Sequence, residues 1–188
     1  MRQLRGLTRL QEIARRIDDA WADVYEVAQK EQHADVALAH RVQTIELPAR
    51  VVTEQEAQQA KAQAERLSKD PKQGTLMRWH QRVVDRVEAQ QAGKAEPYAM
   101  ELDAVRLGDV AFAANPFEYY LDYGIQIKGR SKAVLTFISQ LTCDHHGYLP
   151  TRRAVAGGDY SAVNHTVGPK GGRVLVDETV QAINSLWP

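Results

Sequence analysis

The chain has little cysteine, no excess charge and no long apolar run, and each shortage removes a class of protein. One cysteine, Cys143, in 188 residues rules out an internal disulfide and leaves the redox compartment open. Twenty-four Lys and Arg against 24 Asp and Glu give zero net charge, so the electrostatic footprint of a nucleic-acid binder is missing. No stretch approaches the roughly 18 consecutive apolar residues of a membrane-crossing helix. The N-terminal MRQLRGLTRLQEIARRI is basic without a continuous apolar segment, which reads as an amphipathic helix and not a signal peptide. Also missing are an internal repeat, any low-complexity tract beyond the Gln, Ala and Glu bias of 54–66, and the spacing of a P-loop or dinucleotide fingerprint. Ser131, Ser139 and Ser161 stand outside any recognisable nucleophile turn.

What is present suits a globular chain: 44% apolar and 26% charged residues over a length sufficient for one domain with a real core. Leu4, Leu7, Ile13, Ile17, Trp21, Val24 and Ala28 recur at helical spacing and predict a helix over 3–30 with one sticky apolar face. Val36 to Leu47 reads as a strand ended by Pro48. Thr53 and Glu56 have the spacing of a capping box, opening an alanine-rich helix to Leu67. Asp70 to Gly74 breaks it, and Leu76, Trp79, Val83 and Val87 mark a second helix, so the pair forms a charged hairpin. From Tyr98 the character changes to strands. Gly108-Asp109 offers a two-residue hairpin turn before Val110–Ala113. Phe117, Tyr120, Leu121 and Ile125 mark a short helix. Ala133 to Leu141 is a nearly continuous apolar run, as in a strand covered on both faces. Asp144 to Gly172 is a glycine-rich loop, and Val174 to Leu186 a closing helix. The expected fold is one α+β domain over 1–188: a mainly helical part with one strand over 1–95, then a mixed sheet with packed helices over 96–188.

Three polar side chains lie in the strand-rich part, where a sheet holds groups rigidly and loops leave them reachable. Within LGDVAFAANPFEYY Glu118 directly follows a small-residue strand, and Tyr148 and Tyr160 sit twelve apart in HGYLPTRRAV and AGGDYSAVNHTVGP. Each has a plain structural reading. Asn115-Pro116-Phe117-Glu118 places Asn, Pro and Glu where a helix start uses them. A lone tyrosine is ordinarily a packing residue, and its phenol needs a cation nearby to ionise at neutral pH. Cys143, Asp144, His145 and His146 are adjacent, and adjacent residues seldom all reach one ion, so they read as loop surface. Gly168 to Arg173 reads as an ordinary loop leading into the last helix.

The same block resembles the second half of the catalytic domain of neutral ceramidases and ceramidase-like hydrolases, loosely from Val42 onward and most sharply over 105–168. In that family a Glu after a strand and a Tyr in a Y-[VL]-x-T segment bind zinc, and a second Tyr twelve residues on faces the scissile amide. Tyr148-Leu149-Pro150-Thr151 has that form. The resemblance thus implies Glu118 and Tyr148 as zinc ligands, Tyr160 as the catalytic oxyanion donor, and an N-acylsphingosine-type amide as substrate. It also implies what this chain lacks. The family's two zinc histidines and nucleophilic serine lie in the first half of the domain. Its N-x-G-D-V-S-P-N segment has no counterpart here, since Gly108-Asp109-Val110 is followed by Ala111 and Phe112. The chain therefore reads as half of a site, inactive alone, whose partner is a missing N-terminal half or a second copy. The alternative reading is a non-catalytic α+β association module.

Overall fold

The computed structural model describes residues 3–158 and 160–188, which group into two compact units, one ending at Val36 and the other spanning Ala37–Pro188. The first unit is a 3-10 turn, Gln3–Arg5, and helix α1, Arg9–Ala28. Its start is a full capping box, with the Thr8 hydroxyl accepting from Gln11 N and the Gln11 amide oxygen accepting from Thr8 N. The box expected at Thr53–Glu56 is only half formed. Thr53 accepts from Glu56 N at 3.2 Å, but the Glu56 carboxylate turns away to pair with Arg50.

The second unit is α+β. Four strands, β1 (Leu38–Leu47), β2 (Tyr98–Leu107), β3 (Val110–Ala114) and β5 (Leu135–Ser139), form one sheet in that spatial order. The β2–β3 hairpin turns at Gly108-Asp109 as expected, with Gly108 at φ +59°, where glycine alone is unstrained. β3 and β5 are parallel, which requires a crossover, and the two-residue strand β4 (Glu118–Tyr119) with helix α4 (Leu121–Arg130) supplies it. A second strand of two residues, β6 (Tyr148–Leu149), pairs in parallel with β4. Short helices α5 (Arg152–Gly157) and α6 (Tyr160–Val163) follow, so the expected long loop carries structure of its own. Helix α7, Pro169–Asn184, closes the chain with Pro169 in its first turn.

One face of the sheet buries Ile45, Leu47, Met100, Leu102, Ala104, Ala111 and Ala113 against α4 and α7, which contribute Tyr123, Ile127, Leu175, Val176 and Ile183. Alternation along each strand puts a second set on the other face. There Leu38, Val42, Leu107, Phe112, Leu135 and Phe137 stay exposed, and Phe112 stacks on Phe137 at 5.1 Å. The run Ala133–Leu141 is thus an edge strand with one open face, not a strand covered on both. The hairpin of α2 (Glu54–Leu67) and α3 (Gly74–Gln91) has a small core of its own, Val52, Ala60, Val83 and Val87, thin because α2 offers mainly alanines. Buried polar groups fasten it. Arg50, 4% exposed, donates to the carbonyls of Val163 and His165, and Arg86 donates to the His165 carbonyl.

Candidate functional site

The segment Asn115–Tyr120 does not start a helix. Asn115 Oδ1 accepts from Phe117 N at 3.1 Å, a local turn that the next residues leave as strand β4, and α4 begins only at Leu121. Glu118 is therefore held by strand pairing instead of capping. Its N–H donates to Gly147 O at 2.8 Å, and the His146 N–H donates to Pro116 O at 2.8 Å. The Gln140 side chain clamps Tyr119 from both sides, accepting from its N–H at 3.1 Å and donating to its carbonyl at 2.8 Å. Because β4 and β6 run parallel in this register, Glu118 lies directly opposite Tyr148.

Tyr160 reaches the same point from α6. Its hydroxyl is 2.8 Å from that of Tyr148, and the two rings meet edge to face at 5.2 Å. Contacts among the described residues bear on its position. The Trp79 ring of α3 stacks on it at 6.0 Å, and the adjacent Ser161 bonds to the Tyr120 hydroxyl at the head of α4. The Tyr148 phenol is pushed well above its ordinary range. Hydrogen bonding to Tyr160 is the largest cause and hydrogen bonding to the Glu118 carboxylate the second, because both partners favour the neutral phenol. The cluster sits near the surface: Tyr160 is 48% exposed and Glu118 and Tyr148 are half-buried.

Two cavities are lined by other residues. One of about 550 Å³ lies between α2, α3, α5 and α6, with Ala60, His80, Val83 and Ala162 in its wall. Another of about 450 Å³ has Arg82, Arg86, Lys94, Tyr98 and His146 around it. His146, read from the sequence as loop surface, stacks on Tyr98 at 3.7 Å and meets Phe117 edge-on, and burial lowers its pKa. Asp144 accepts from Tyr98 Oη and from its neighbour's His145 N, and Cys143 is exposed. Among the described residues no three His, Cys, Asp or Glu side chains are arranged to hold a metal ion. Glu118 and Tyr148 supply two oxygen donors facing one another, which suits a hard or borderline divalent cation but fills only part of a tetrahedral shell. Trp79, Tyr120, Gln140 and Ser161 also belong to this neighbourhood, but Trp79 has the spacing of an ordinary apolar position of α3, and nothing in the local pattern ties any of the four to Glu118.

No family model and no curated protein matches this chain. Solved structures do. The neutral ceramidase of Pseudomonas aeruginosa superposes with a TM-score of 0.54 at 16% identity, covering 88% of this chain and 31% of that one. The fold is ceramidase-like. A second ceramidase structure, complexed with C2, is also similar, with a TM-score of 0.43 at 16% identity over 47% of this chain and 15% of its own. The chain thus spans under a third of the length of the Pseudomonas enzyme.

Proposed function

We propose that this chain is the C-terminal portion of a ceramidase-like catalytic domain that hydrolyses an amide of the N-acylsphingosine type, and that it supplies half of the active site. The parallel pairing of β4 with β6 carries the reading, because it sets Glu118 opposite Tyr148 and leaves the Tyr148 hydroxyl 2.8 Å from that of Tyr160. Glu118 and Tyr148 would hold a zinc ion, with the remaining ligands from outside this chain. When bound, such an ion supplies Lewis-acid polarisation of an amide carbonyl or of the attacking oxygen. Tyr160 would donate its hydroxyl to the oxygen that becomes negative as the carbonyl is attacked. Tyr148 orients Tyr160 through the hydroxyl–hydroxyl bond, and Trp79 fixes the plane of its ring. The exposure of the cluster and the open apolar face of the sheet both fit a module whose remaining half packs alongside.

Zinc titrated into the pure chain tests this, with bound metal and tyrosinate absorbance as readouts. Weak uptake is expected, reduced in Glu118→Gln and in Tyr148→Phe, without hydrolysis of a fluorogenic acyl-sphingosine substrate. Zinc uptake indifferent to both substitutions would refute the ligand assignment. Clear turnover by the chain alone would refute the half-site.

A further inference from the structure

Helix α1 leaves its own apolar side chains uncovered within its unit. Leu10, Ile13, Ile17, Val24 and Val27 are between 48% and 76% exposed. With Ala20 they recur at alternating spacings of three and four, the 3.5-residue period of a two-stranded coiled-coil seam. Most helical stability in proteins comes from packing of an amphipathic face, so this helix gains from something lying against that seam.

We propose that α1 pairs with α1 of a second copy of this chain, in the antiparallel sense, making this helix a dimerisation element. One register uses the whole seam: Leu10 opposite the partner's Val27, Ile13 opposite the partner's Val24, and Ile17 opposite the partner's Ala20. The same register sets Arg16 beside the partner's Asp23, twice by symmetry, and lays Trp21 over the partner's Ala14, a large ring on a small residue. Sliding by one heptad in either direction brings Arg16 onto the partner's Arg16, or Asp23 onto the partner's Asp23, and leaves seam residues unpaired. Parallel pairing places Arg9, Arg16 and Asp23 beside Ala14, Trp21 and Ala28, with no opposite charges. A bilayer surface is a poorer occupant. Helices that lie on anionic lipid are rich in Lys and Arg on the polar face. Here Glu12 grips Arg15 and Arg16, Arg15 also pairs with Asp19, and Asp18, Asp23 and Glu26 add further negative charge. This inference is independent of the hydrolase reading.

Sedimentation equilibrium of the full chain from about 1 to about 50 µM tests it, a window set by typical reversible dimers. A particle of twice 21.1 kDa is expected. Ile17→Asp should give monomer. Asp23→Arg should weaken association by roughly 10-fold or more, because two attractive pairs become repulsive. Arg16→Asp combined with Asp23→Arg should recover most of that loss. Cooperative unfolding of each variant, read by circular dichroism, reports that the unit from Ala37 onward is intact. Monomer throughout the range, a dimer indifferent to Ile17→Asp, or failure of the double variant to recover would each overturn the proposal. A dimer abolished by Phe137→Lys but kept in Ile17→Asp would place the interface on the open sheet face and overturn it equally.

Discussion

Gly172, in the first turns of α7, faces a ring that has nowhere to go. A Cβ there would lie 2.5 Å from Cζ and Oη of Tyr123 and 2.9 Å from its Cε2. Tyr123 is 3% exposed, stacks on Tyr119 at 4.9 Å and donates to the Pro150 carbonyl at 3.0 Å. The ring cannot retreat without giving up that bond. In Gly172→Ala, helix propensity improves by up to about 1 kcal/mol. Overpacking costs about 1–3 kcal/mol, and a buried acceptor left without its donor about 1–3 kcal/mol more. The net is a destabilisation of about 3 kcal/mol, or a melting temperature lower by roughly 6–12 °C for a chain of this size. Pro150 directly follows β6, so displacing Tyr123 should also loosen Tyr148 from Glu118. The assay is thermal and urea unfolding beside a Gly129→Ala control, where an added Cβ meets nothing within 4 Å and stability should hold or rise slightly. A Gly172→Ala protein that melts with or above the wild type would refute the packing argument.

The Tyr148 phenol should ionise above the ordinary tyrosine range. The wild-type minus Tyr148→Phe absorbance difference measures it, and Glu118→Gln should move it back down by removing a carboxylate that disfavours the phenolate. His165 is buried beside Arg50 and Arg86, and its pKa is lowered to about 3, so the folded chain keeps it neutral where the unfolded chain is protonated. Its contribution is complete above about pH 6.5 and is lost as pH falls toward 3, by about 1.4 kcal/mol per pH unit. His165→Asn should flatten the stability profile between pH 6.5 and 5 by close to one proton; an unchanged slope would contradict the burial. Asn115→Ala removes the acceptor for Phe117 N at the head of β4, both residues being buried. It should cost about 1–3 kcal/mol in urea unfolding, and Asn115→Asp, which keeps the oxygen, should recover part of that.

The amino-acid sequence by itself determined the elements whose signal is local. The hairpin at Gly108-Asp109 and the end of α2 at Leu67 follow from backbone preferences within a few residues, and the structure has them there, whereas α7 starts at Pro169, ahead of the Val174 expected. The helical period of α1 was legible for the same reason, although the helix expected over 3–30 begins only at Arg9, after a 3-10 turn that takes Leu4 out of it. Local preference misled at Asn115-Pro116-Phe117-Glu118, a sound helix start on its own. There the Gly147 carbonyl and the Gln140 amide, distant in sequence, satisfy the backbone as a strand instead. The same holds for Glu56, whose carboxylate closes on Arg50 because that buried guanidinium needs a counter-charge more than the Thr53 amide needs an acceptor. The family pattern singled out Glu118, Tyr148 and Tyr160, but no periodicity says that two strands of two residues each pair in parallel and lay the first opposite the second. Nor does it say that Trp79 and Ser161 steady the third. Those facts depend on register between segments far apart in the chain. Register is decided by the packing of the whole core, where a shift of one residue would turn every side chain of a strand to the other face.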